Sequence, residues 1–168
     1  MRRIALFTAL FALLLPGSAS AAPFVYDIPE LVGKPLKAVK KVTTLPVLLP
    51  SRLTSEHRKL FSQGRGRANR YHFTLGAVRG CGTSTACYVA GFRARRGGTP
   101  SATREVKLAK GLTGFFARSR CGASCGPASL EWVQDGVLYE VDGKLGTQRS
   151  ERKILTRLAN SAIRNGAR

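Results

Sequence analysis

Residues 71–95 read YHFTLGAVRGCGTSTACYVAGFRAR, and the alternation in this stretch decides the fold. On the outward run Tyr71, Phe73, Leu75 and Ala77 share one side of an extended chain, with His72, Thr74 and Gly76 on the other. On the return Tyr88, Ala90, Phe92 and Ala94 alternate with Val89, Gly91 and Arg93. A period of two in aromatic and β-branched residues marks two strands with one face on a core. Cys81 and Cys87 bracket the small-residue loop between them, where a disulfide would close it. The stretch therefore predicts a hairpin at the centre of a small antiparallel sheet.

Downstream of the hairpin, Gly97–Ser101 reads as a turn and Glu105–Ala109 as a third strand, followed by the aromatic pair Phe115–Phe116. Cys121–Ser129 is a second loop that a disulfide would staple. Asp135-Gly136 then separates Leu130–Gln134 from Val137–Val141, and Asp-Gly suits a two-residue hairpin turn in which both residues take positive φ. Trp132 is expected opposite Leu138 or Tyr139. Ser150 opens the last element, where Ile154, Leu155, Leu158, Ala159, Ala162 and Ile163 recur at three- and four-residue steps. That spacing predicts an amphipathic helix ended by Gly166, with its apolar stripe on the sheet.

Upstream, Gln63–Arg70 reads as a Gly- and Arg-rich loop, and Thr54 or Ser55 as the cap of one helical turn. Thr44–Leu49 reads as a strand that Pro46 confines to a sheet edge. Leu36–Val42 suits one or two helical turns with Lys37, Lys40 and Lys41 toward solvent. The sequence thus divides into a signal peptide over residues 1–22, a loosely structured segment over 23–43 and a single α+β domain over 44–168. The expected fold class is α+β: an antiparallel β-sheet of roughly five to seven strands, a C-terminal amphipathic helix packed on one face, and two disulfides as staples.

The signal peptide follows from Arg2 and Arg3, the apolar run Ile4–Leu15, the break at Pro16-Gly17 and the small residues Ala19-Ser20-Ala21. A run of about a dozen residues is short of the ~20 that span a bilayer, and no later stretch is a membrane span. An exported, extracytoplasmic chain with four cysteines is most simply one with two disulfides. Three connectivities exist; spacing favours Cys81–Cys87 and Cys121–Cys125. A zinc site fits these spacings poorly, and Cys121–Cys125 has one residue too many for a Cys-x-x-Cys redox motif. No metal and no cofactor is expected.

The order of a Leu130-Glu131-Trp132 strand, an Asp135-Gly136 turn, a Leu138-Tyr139 strand and a helix carrying Leu158-Ala159-Asn160-Ser161 resembles a known family. It is similar to the C-terminal domain of unknown function on some bacterial anti-sigma and sporulation proteins. The likeness covers roughly residues 105–165. This chain differs in its four cysteines and in having no anti-sigma or membrane-spanning region ahead of the likeness. The resemblance implies an extracytoplasmic sheet-and-helix domain and carries over no catalytic residue.

The net charge of +19, from 28 basic residues against 9 acidic ones, draws polyanions. Candidate binding residues are Arg65, Arg67 and Arg70, then Arg93, Arg95 and Arg96, then Arg118 and Arg120, all read at strand ends or loops. Arginine's planar fork suits phosphate, sulfate and carboxylate groups. The expected partner is an anionic polysaccharide, a wall polymer or a lipid surface; nucleic acid would bind only non-specifically, because the tyrosines alternate with the core face. The leading reading is a secreted or envelope-associated, non-catalytic binding domain. The alternatives are an exported hydrolase using His72 or His57 with a carboxylate, and a domain that binds or inhibits another exported protein. Glu131 and Glu140 are expected as cross-strand neighbours, which raises a glycosidase pair, but Glu131, Glu140 and Asp142 read more simply as acids that balance a very basic surface. No Gly-x-Ser-x-Gly elbow or phosphate-binding glycine loop occurs.

Overall fold

The computed structural model describes residues 22–82, 84–122 and 125–168, so the segment read as a signal peptide lies, but for Ala22, outside the described residues. In chain order the elements are β1 (Phe24–Asp27), α1 (Ile28–Leu31), α2 (Gly33–Lys40), β2 (Arg52–Ser55), β3 (Phe61–Arg67), β4 (Arg70–Gly76) and β5 (Tyr88–Arg96). There follow β6 (Arg104–Lys107), β7 (Thr113–Ala117), β8 (Arg120–Cys121), β9 (Cys125–Gly126), β10 (Ala128–Gln134), β11 (Val137–Gly143) and α3 (Glu151–Asn165). Seven strands form one antiparallel sheet in the order β3-β4-β5-β11-β10-β7-β6; β1 pairs with β2, and β8 with β9. The fold is α+β with the C-terminal helix on the sheet.

The alternation of residues 71–95 becomes the sheet's two faces. Phe73, Phe92, Val141, Leu130 and Phe116 lie opposite one another on consecutive strands, and all five are buried. α3 covers β10 and β11 on this side with Leu155, Leu158, Ala159, Ala162 and Ile163. Its polar residues fasten neighbouring segments: Ala109 N–H donates to Asn160 Oδ1 at 2.6 Å and Ser51 N–H to Ser161 Oγ at 3.0 Å. No described helix lies on the opposite face, and its residues are largely polar. Asp135 and Gly136 both take positive φ, 51° and 71°, as a tight hairpin turn requires. Trp132 stacks on Tyr139 with ring centroids 5.5 Å apart.

Both disulfides form as spacing favoured, Cys81–Cys87 and Cys121–Cys125. Each closes a short loop, so each mainly pins a turn. They lie at the end of the sheet opposite the 68–69 and 135–136 turns.

Several local readings are corrected. Gln63–Arg70 is no loop: residues 61–67 form edge strand β3, paired along its length with β4. Its glycines made it look irregular, yet Gly64 and Gly66 are needed. A Cβ at 64 would stand 2.8 Å from Pro35, and one at 66 would stand 2.9 Å from Val42, because α2 lies directly on this strand. Residues 52–55 form a strand with β1, with no helical turn at Thr54 or Ser55. Thr44–Leu49 forms no strand of the large sheet; Pro46 and Pro50 interrupt it, and only Leu48 makes a bridge, to Ala167. Its apolar side chains are core all the same, with Tyr71 Oη accepting from Leu48 N–H at 3.0 Å and Tyr139 Oη donating to Pro46 O at 3.2 Å. The segment expected to be loose, 23–43, carries β1, α1 and α2 and buries Ile28, Val32 and Val39. Thr113–Ala117 is a strand although Gly114 interrupts its pattern; this glycine makes room for Leu108 and Leu130.

Replacing Phe73 by Ala is expected to cost about 3–5 kcal/mol, whereas Val133→Ala, at an exposed position, should stay within ~0.5 kcal/mol. Urea unfolding of the oxidised protein measures both, and equal midpoints would contradict this placement of the core.

Candidate functional site

Strand register on the helix-free face assembles a row that no single segment contains. Arg65 on β3 lies opposite His72 on β4, His72 opposite Arg93 on β5, Arg93 opposite Glu140 on β11, and Glu140 opposite Glu131 on β10. The adjoining row runs Thr74, Gly91, Asp142. The next in the other direction runs Arg67, Arg70, Arg95, Leu138. Positive charge therefore gathers at the β3-β4-β5 corner and negative charge toward β11 and β10.

Arg93 joins the two halves. Its Nη1 lies 3.0 Å from Glu140 Oε1 and its Nη2 3.0 Å from Asp142 Oδ2. Asp142 is buried and takes a second hydrogen bond from the Tyr88 hydroxyl. Tyr88 reaches it through a register shift between Leu75 and Gly76. The shift corrects the alternation read from the sequence: Val89 joins the core and Tyr88 turns to the polar face. Gly91 leaves the space for this pair, since a Cβ there would collide with both the Tyr88 hydroxyl and the Asp142 carboxylate.

The connection over residues 97–103 crosses this face on its way from β5 to β6. It is held by Glu131, whose Oε2 accepts from Ser101 N–H at 2.6 Å, Ser101 Oγ at 3.0 Å and Ala102 N–H at 3.3 Å. Beside this crossing lies a cavity of about 250 Å³ that His72, Arg70, Arg93, Arg95, Glu131 and Glu140 line.

The environment sets the charge states. Burial, with Arg93 and Arg65 adding to it, lowers His72 to about 4, and its Nε2 is hydrogen-bonded to Thr74 Oγ1 at 3.1 Å. Burial pushes the Glu140 and Asp142 carboxyls up, against the pull of Arg93. Burial alone would lower Arg93, but the two carboxylates outweigh it and hold the guanidinium charged. Burial and then the neighbouring Asp142 charge push the Tyr88 hydroxyl up, so it stays a donor.

Of the arginines singled out by sequence, Arg65, Arg67, Arg70 and Arg95 share the polar face at one corner and are exposed. They project from strands rather than loops. Arg93 belongs to the same face but is committed to its two carboxylates. Arg96 pairs with Val137 and so points to the helix-bearing side. Arg118 and Arg120 lie at the opposite end of the sheet and are not brought near the others. Among the described residues both ion pairs are made by Arg93. His57 stands apart from His72, lining a separate cavity of about 460 Å³ between β2 and α3. The four thiols are spent in disulfides, and no group of three His, Cys, Asp or Glu side chains among the described residues is placed to hold a metal ion.

Sequence reading missed the roles of Tyr88, which it placed on the face of Ala90 and Phe92, and of Asp142 and Glu140, which looked like acids offsetting a basic surface. Their alternation with apolar residues was visible, but the adjacency of β5 and β11 was not. Comparison with known proteins gives no matching family model, no similar curated protein and no similar solved structure. The two disulfides mark the chain as extracytoplasmic, and no described helix is long and apolar enough to cross a membrane.

The lowered pKa of His72 has a definite sign. Between about 4 and its ordinary 6.5 the unfolded chain binds a proton that the folded chain refuses. The contribution of neutral His72 is therefore complete above 6.5 and lost as pH falls toward 4. Raised Glu140 and Asp142 act in the opposite sense, so the wild type must be compared with His72→Gln. Wild-type stability should climb more steeply from pH 4 to 6.5 than that of His72→Gln in urea unfolding; parallel profiles would show that His72 is not held neutral.

Proposed function

We propose that this protein is an exported, non-catalytic binding domain that engages an anionic polymer through the arginine corner of its uncovered sheet face. Export rests on the cleavable leader read over residues 1–22 and places the mature chain in the periplasm, the envelope or the medium. The observation that carries the reading is the line Arg67, Arg70, Arg95, in which three guanidinium-bearing residues sit directly opposite one another on adjacent strands. Like charges so placed destabilise a sheet. Here no carboxylate relieves them within ion-pair distance among the described residues. A bound polyanion would remove that repulsion while gaining bidentate contacts. Arg65 extends the patch along β3, and the excess of 26 basic over 9 acidic residues that remains once the leader takes Arg2 and Arg3 supplies long-range attraction. The eight arginines of the sequence reading thus reduce to four at the centre of the proposal, with Arg93 positioning the floor beneath them.

A second reading, hydrolysis, is supported by His72 and Glu140 lining one cavity. It asks more of the site. His72 is neutral well below pH 7, and Glu140 is already tied to Arg93. The geometry therefore supports binding better than proton transfer.

Replacing Arg67, Arg70 and Arg95 together by Gln should weaken binding to heparin, used as a probe polyanion, by roughly three- to a hundredfold, since each exposed ion contact is worth about 0.2–1 kcal/mol. Arg118→Gln with Arg120→Gln should change it far less. Calorimetry near physiological ionic strength, where charges are screened beyond ~8 Å, separates the two sets. An equal loss in both would reduce the binding to net charge and overturn the proposal.

A further inference from the structure

The cavity of about 250 Å³ beside the arginine corner is not lined by cations alone. Arg70 and Arg95 stand on one side, while Glu131 and Glu140 face it from β10 and β11. Both carboxylates are half occupied. Glu131 uses Oε2 to hold the 97–103 crossing, and Glu140 uses Oε1 to hold Arg93. The second oxygen of each has no hydrogen-bond partner among the described residues. Neither second oxygen is among the fully buried polar atoms left unpaired, which are elsewhere, on Trp132 and Gln134.

An ionised carboxylate only accepts hydrogen bonds. A ligand unit that satisfies the cavity must therefore bring an anion for the arginines and donors for the glutamates. A phosphodiester brings only acceptors, and its charge would be repelled by two carboxylates. A carboxylated sugar ring brings both: one carboxylate, and hydroxyls that donate. Leu138 lies on the same face, buried against Gly98 and outside the main core, and gives the C–H face of a ring an apolar contact. The volume is below the ~300–1,000 Å³ of drug-sized sites, which suits one ring of a longer chain whose neighbours cross Arg65 and Arg67.

We infer that this cavity is a subsite for a single uronic-acid residue of a carboxylated polysaccharide, with Arg70 and Arg95 on the acid and Glu131 and Glu140 on the ring hydroxyls. The inference rests on the anion-binding reading above and sharpens it. It makes the glutamates selectivity elements that discriminate against phosphate polymers.

The test is calorimetry of the full-length mature, oxidised protein with tetragalacturonic acid and with linear polyphosphate of matched charge, at near-physiological ionic strength. The expected result is tighter binding of the uronate by about tenfold, the factor that corresponds to 1.4 kcal/mol. In Glu140→Gln, checked for an intact fold by its thermal transition, that preference should shrink to about twofold, mostly through stronger polyphosphate binding as one repulsive charge is lost. Polyphosphate binding as tightly as uronate in the wild type would overturn the subsite and leave the arginine corner standing as a general anion site. Failure of both polymers to bind would overturn the anion-binding reading itself. The wild-type comparison decides the matter even if Glu140→Gln folds poorly.

Discussion

The guanidinium of Arg93, held between Glu140 and Asp142, is the interaction on which the uncovered face of the sheet depends. Asp142 is removed from water by its neighbours, and an ion buried without a partner costs several kcal/mol. Arg93 supplies the partner, the Tyr88 hydroxyl supplies a second donor, and Gly91 supplies the space. Once this group is fixed, the rest of the face follows. Burial, with Arg93 and Arg65 beside it, keeps His72 neutral until the pH falls to about 4, and Glu140 is oriented with one oxygen outward. The free arginines are left to the β3-β4 hairpin and the end of β5.

A sheet with helices on one side only has to make its other side tolerable in water. This chain does so with charge, and with the 97–103 crossing anchored on Glu131. The anchor is a side chain rather than a strand, so the crossing lies over the sheet without joining it. It buries Leu138 under Gly98.

The fold was legible wherever a period was clean. The alternation of 71–77 and 88–95, the Asp135-Gly136 turn and the stripe of α3 each stated their structure locally, and the local disulfides followed from spacing. Legibility failed where glycine or proline stood in for packing. Gly64, Gly66 and Gly114 looked like breaks but are places where a neighbour's side chain occupies the position of a Cβ. The reading of Tyr88 failed because a one-residue bulge changes the parity of everything before it. The candidate site was legible as composition and not as geometry. Arg65, Arg70 and Arg95 were visible as arginines, but their meeting depends on β3, β4 and β5 being neighbours in register. The grouping of Arg118 and Arg120 with them failed for the same reason, since Arg118 follows β7 and Arg120 lies in β8, at the other end of the sheet.

An open sheet must also end on both sides, and this one ends at β3 on one side and at the shorter β6 on the other. Its four residues, Arg104 to Lys107, carry a charge at each terminus and Glu105 between. The backbone donors and acceptors along that margin are too few, and too crowded by charged side chains, to template another strand. Freshly folded copies crowded together therefore meet, along β6, a short and charged margin that offers another strand little to extend.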